Sequence, residues 1–144
     1  MILATILSEK GRDVATTAAS RSIRDVVAEL AARKIGALVV VEGIDRVVGI
    51  VSERDIVKAL ARKGGAVLDD PVGTIMTREV VTCADSETVI RVMGRMTRGR
   101  FRHLPVVKGG RLDGIVSIGD VVKARIGEVE READDMRSYI AAAG

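Results

Sequence analysis

Gly49-Ile50-Val51-Ser52-Glu53-Arg54-Asp55 is answered further along the chain by Gly114-Ile115-Val116-Ser117-Ile118-Gly119-Asp120, and that echo decides the fold. Working outward at a constant offset of 66 positions, Thr16 falls on Thr82, Ser22 on Thr88, Val26 on Val92, Leu38 on Leu104 and Val40 on Val106. One deletion after Gly43 then brings Gly49 onto Gly114, Ser52 onto Ser117, Asp55 onto Asp120 and Lys58 onto Lys123. A short lead-in recurs as well, Thr5-Ile6-Leu7 against Thr74-Ile75-Met76. Two units are too few for a solenoid, which needs at least about three stacked repeats to bury its core. The pattern therefore predicts a closed pseudo-twofold pair, each unit burying its apolar face against the other.

Each unit reads as βαββα, which makes the fold class α+β. In the first, Ala15 to Ala18 is a short extended piece, and Ser22 caps a helix with Asp25 three residues on. Ile23, Val26, Val27 and Leu30 recur at helical spacing, and Gly36 is expected to end that helix. Ala37 to Val41 is a β-branched run suited to a strand covered on both faces, and Val47 to Val51 returns beside it. Ser52 opens a helix that Gly64-Gly65 stops. The second unit repeats the order with Val80 to Thr82, a helix from Thr88 to about Arg98, strands at Leu104 to Val107 and Leu112 to Val116, and a helix from Ser117. The division drawn from the repeat is 1–66 for the first unit with its lead-in, 67–127 for the second, and 128–144 for an acidic helical tail. Val129, Ala133, Met136 and Ile140 keep helical spacing in that tail, which suits packing on the core or on a partner subunit. Gly94 and Gly119 fall inside predicted helices and loosen them, at up to about 1 kcal/mol each relative to Ala.

At 144 residues, 47% hydrophobic and 30% charged, the chain is long enough to bury a core and too apolar to be disordered. Phe101 and Tyr139 are its only aromatic residues, so aliphatic side chains carry the packing. The longest apolar run, Ile35 to Val41, is far short of the roughly 20 residues that span a bilayer. The N-terminus shows no export leader, and a cytoplasmic setting is the expectation. One cysteine, Cys83, and one histidine, His103, exclude an internal disulfide and any metal site built from thiolates or several imidazoles. No nucleophile stands at readable spacing from a base, so catalysis is not expected. Net charge is only +3, with the basic excess local to Arg91, Arg95, Arg98, Arg100 and Arg102.

Two chemistries suit Ser-x-x-Asp at a helix start. A capping serine bonds the third backbone N–H while the acid reaches back to the cap's own N–H. Alternatively the helix N-terminus, with its partial positive charge, receives a phosphate, while the acid accepts the hydroxyls of a ribose.

Two copies of an extended piece, a helix, an apolar strand pair and Gly-x-x-Ser-x-x-Asp resemble a tandem pair of CBS domains, from about Ile2 to Gly127. The resemblance implies a disc-like module with clefts for adenine nucleotides (AMP, ADP, ATP or NAD-like compounds), regulation rather than catalysis, a homodimer, and a regulated protein in trans. It also implies crossed clefts. Ser52 and Asp55 would face Val81, Thr82, Cys83, Arg102, His103 and Leu104; Ser117 and Asp120 would face Ala15, Thr16, Thr17, Gly36, Ala37 and Leu38. Arg102 and His103 occur in one copy only, so the Ser52/Asp55 cleft is expected to hold phosphate more tightly. Two other readings stand beside this one. The stretch Arg91 to Arg102 suits nucleic-acid backbone but lacks stacking aromatics, and a pair with empty clefts would be a protein-interaction module.

Overall fold

The computed structural model describes residues 1–143; Gly144, the last residue of the tail read from sequence, lies outside them. Among these described residues five helices and five strands follow the order α1 (Leu3–Lys10), β1 (Thr16–Thr17), α2 (Ile23–Arg33), β2 (Ala37–Glu42), β3 (Arg46–Ser52), α3 (Glu53–Lys63), α4 (Val89–Gly99), β4 (His103–Lys108), β5 (Arg111–Ser117) and α5 (Ile118–Ala143). Short 3-10 turns at Gly64–Asp69 and Val72–Thr74 link the two units. Strand β2 pairs antiparallel with β3 and parallel with β1, whereas β4 and β5 form a two-stranded sheet. In the second unit the counterpart of β1 shrinks to a single parallel bridge, Cys83 with Val106.

The copies match in fine detail. Register shifts once between Val40 and Val41 opposite Gly49, and again between Val106 and Val107 opposite Gly114. Helices α2 and α4 both end on a left-handed cationic residue, Lys34 (φ 55°) and Arg100 (φ 56°). Gly36 is thus not the helix terminator expected from sequence; an αL residue closes the helix two positions earlier. Helices α4 and α5 run unbroken through Gly94 and Gly119.

Two hydrophobic cores hold the units, and their membership departs from the sequence division at 66/67. Leu3, Ile6 and Leu7 of α1 pack with Cys83, Val89, Val92, Met96, Leu104 and Val116 of the second unit. Val67, Val72 and Met76, which precede the second unit, pack with Ile23, Val26, Leu38, Val40 and Val51 of the first. Lead-ins are therefore exchanged, and a boundary drawn along the repeat cuts through both cores. The landmark glycines explain the exchange. A Cβ on Gly49 would lie 2.5 Å from Met76 Sδ, and one on Gly114 would lie 3.0 Å from both Leu7 methyl carbons. Only glycine lets the other unit's lead-in lie so close to the strand. Burying each such aliphatic side chain is worth about 1.5–3 kcal/mol. Among the described residues no helix is long and apolar enough to cross a membrane.

Candidate functional site

Both Ser-x-x-Asp corners begin as caps. Ser52 Oγ accepts from the Asp55 amide at 3.4 Å, and Asp55 Oδ2 accepts from the Ser52 amide at 2.9 Å and from its hydroxyl at 3.1 Å. Ser117 Oγ accepts from the Asp120 amide at 3.1 Å, and Asp120 Oδ2 accepts from the Ser117 amide at 2.9 Å. The first helical amides are also engaged, Glu53 N–H on the Gly36 carbonyl and Ile118 N–H on the Arg102 carbonyl. These bonds take up donors that the phosphate reading assigned to a ligand. They also fix each carboxylate in one orientation, with Oδ2 committed and Oδ1 directed elsewhere.

The surroundings of the two carboxylates differ. Asp55 Oδ1 meets only the Thr77 hydroxyl, at 3.4 Å, and among the described residues Asp55 has no ion pair. Lys10 Nζ donates to Asp120 Oδ2 at 2.7 Å and to the Ile115 carbonyl at 2.9 Å. Burial works against ionisation of Asp120, yet the Lys10 and Ser117 bonds outweigh it and hold the carboxyl below its ordinary value of 3.8. A cavity of about 310 Å³ opens beside this corner between α1 and α5, lined by Thr5, Lys10, Asp120, Lys123 and Arg131 among others.

The expected site residues are distributed as follows. Ala37 pairs with Ser52 and His103 with Ser117, so each serine's direct neighbour belongs to its own unit. The crossing between units is carried by His103, which lies 3.3 Å from where a Cβ on Gly36 would stand. Burial, then Arg102 and Lys10, keep its imidazole below the ordinary 6.5, with Glu53 and Asp120 acting in the opposite sense. Arg102 is exposed. Leu38, Ala37, Leu104 and Cys83 are buried in the cores. The Cys83 thiol is pushed up to about 12 by burial and by Glu87, which removes thiolate character.

Ala15, Thr16 and Thr17 flank β2, and the Thr82 carbonyl accepts from Arg95 Nη2 at 2.9 Å. Among the described residues, neither Val81, Thr82 and Cys83 with Asp55, nor Ala15, Thr16 and Thr17 with Asp120, come within hydrogen-bond distance. Thr17 is 6% exposed and its hydroxyl has no partner. A buried polar atom left unpaired calls for an explanation such as a ligand or water.

Lys10, Thr77 and Glu53 were not among the residues expected from sequence. Aligning the lead-ins sets Leu7 on Met76 and Lys10 on Glu79, so a cation at one corner has an acid as its counterpart. That was the available signal. The arginine stretch is partly consumed by the fold, because Arg95 is tied to Glu87 at 2.8 Å and to Thr82, and Arg98 folds over Gly94.

The model of the CBS domain family matches residues 10–62 and again 72–127. A CBS-domain containing protein from Agrobacterium tumefaciens is 49% identical, with a TM-score of 0.84 over 87% of this chain and 99% of that one. The CBS domain pair of protein MJ0100, solved in complex with 5-methylthioadenosine and S-adenosyl-L-methionine, is 29% identical with a TM-score of 0.78, over 89% of this chain and 98% of that one. The CBS domain-containing protein CBSX3, mitochondrial, of Arabidopsis thaliana is 37% identical over 83% of this chain. This chain spans 60% of that protein's length, and less than two thirds of each of the curated relatives it matches first.

Proposed function

Since the chain belongs to the CBS domain family and carries two of its units, we propose that it is a non-catalytic sensor of an adenosine-containing ligand, AMP, ATP, NAD or an adenosyl compound. Ligand occupancy biases the packing of the two units, or of two copies, and passes to a regulated protein in trans. Asp55 and Asp120 hold the ribose hydroxyls, and the residues of the two crossed sets line the adenine and the phosphate. One observation carries the reading. Each acid is clamped through Oδ2 by its own cap, and Oδ1 of Asp120 has no partner among the described residues while that of Asp55 has only the long Thr77 contact. An oriented acceptor of this kind suits a pair of hydroxyl donors. The unpaired Thr17 hydroxyl supports it from the opposite unit. An adenosine ligand bound by the MJ0100 pair supports the ligand class.

The Asp55 cleft fills first, because Asp55 has no ion pair among the described residues, whereas Lys10 neutralises Asp120 through Oδ2. Mass spectrometry of small molecules released from heat-denatured protein, followed by calorimetry with AMP and S-adenosyl-L-methionine, tests both statements. Asp55→Ala should remove the tighter site, Asp120→Ala the weaker, and the double variant all binding. Equal losses from the two single variants would refute the ranking, and wild-type protein that binds neither compound would refute the sensor.

A further inference from the structure

Helix α5 is 26 residues long, about 39 Å at 1.5 Å per residue. Its first three turns touch the body: Val121 is fully buried, Ile118 and Ala124 pack against the core of the second unit, and Glu128 Oε2 accepts from the Met1 ammonium at 3.4 Å. Along another face run Val122, Ile126, Val129, Ala133, Met136 and Ile140. Their spacing alternates four and three, the 3.5-residue period of a left-handed coiled-coil seam rather than the 3.6 of a helix laid on a globular core. Exposure runs from 39% at Val122 to 62% at Ile140, with Ala133 alone half-buried, so among the described residues nothing covers the seam.

From these observations we infer that residues 122–143 of α5 form a parallel, in-register, two-stranded coiled coil with the same helix of a second copy. Charges flanking the seam choose both occupant and direction. In a parallel pair each flank position meets the one five residues on in the partner. Arg125 then meets Glu130 of the partner subunit, and Glu132 meets Arg137 of the partner subunit, both attractive. An antiparallel pair with the same overlap sets Lys123 against Arg137, Glu130 against itself and Glu132 against itself, all repulsive. Charged residues at 123, 125, 130, 132 and 137 flank the apolar stripe, with Tyr139 the one uncharged flank position near its end, and a stripe two positions wide over most of its length fits two strands. In the single chain, Arg125 lies 3.7 Å from Glu128 and 3.8 Å from Glu132, loose contacts that leave it able to reach across.

Sedimentation of the full chain at micromolar concentration should give a dimer. Val129→Glu, which puts like charges face to face in the seam, should weaken it at least about 100-fold. E132R and R137E should each weaken it about tenfold, and E132R/R137E together should restore it. M136C should cross-link to its own copy on mild oxidation, because residue 136 faces itself only in a parallel register; the native thiol, Cys83, is buried. All these positions are exposed, so an unchanged circular dichroism melt of the body controls for misfolding. A monomer at tens of micromolar, a trimer, a dimer indifferent to Val129→Glu, or a charge swap without recovery would each overturn the coiled coil.

Discussion

Side by side, the two halves share four backbone devices and differ in what lies over the acid. Bulge, left-handed helix ending, capping serine and landmark glycine recur at matching positions. Over Asp55 stands a hydroxyl at 3.4 Å, and over Asp120 an ammonium at 2.7 Å. Where the first half has Gly36, leaving a notch, the second has His103 on the next aligned position, and the ring fills the notch. Duplication preserves what the backbone needs and frees the side chains around the clefts to diverge. Among the described residues one acid has no ion pair and the other is held by a lysine, the difference on which the proposed ranking of the two sites rests.

The largest effect should come from the exchanged lead-ins. Leu7→Ala removes a side chain that is 1% exposed and sits in the other unit's core, and should cost about 3 kcal/mol. Denaturant unfolding should remain a single transition moved to lower concentration. Two separated transitions would show that the halves are independent and that the comparison concerns two domains instead of one interlocked body.

Next comes the guard on Asp120. The Lys10–Asp120 pair is about one third exposed on each side, so it is worth at most about 1 kcal/mol. Lys10→Met should therefore tighten uncharged adenosine at that cleft by up to about fivefold and leave the Asp55 cleft unchanged, as read by two-site calorimetry. Weaker adenosine binding would mean that Lys10 is a ligand contact and no guard.

The smallest effect is on pH dependence. His103 has a folded value below the ordinary 6.5, so as pH falls through that range the unfolded chain takes up the proton first. Stability should decline from about pH 6.5 downward until the folded value is reached, and H103Q should flatten that part of the profile. Asp120 contributes with a depressed value, so its stabilisation is present above 3.8 and is lost only as pH falls further. A slope of opposite sign near pH 6 would place a compensating acid closer to the ring than Glu53 or Asp120.

Most of the fold was legible because the same pattern is printed twice, and register, caps and strand pairs follow from local periodicity. Ser22, Ser52 and Thr88 cap where the sequence placed them. Core membership was not legible, since nothing in Thr5-Ile6-Leu7 says which unit's strand lies nearest; that is decided by chain path and by the space over Gly114. The role of Gly36 was misread for a similar reason. A glycine near a helix end suggests a terminator, but the residue it accommodates, His103, is 67 positions away. For the site, the acids and their caps were readable, while Lys10 and Thr77 arrive on the exchanged segments and so escaped a reading confined to the repeat.

Exchange of the lead-ins also says what one half would be if it were made by itself. Residues 1–66 alone would carry Leu3, Ile6 and Leu7 with no strand of their own to cover, and would leave bare the groove that Met76 occupies. Two such fragments have one remedy, to reach over and clasp each other. The intact chain is that handshake with the two arms joined into a single thread.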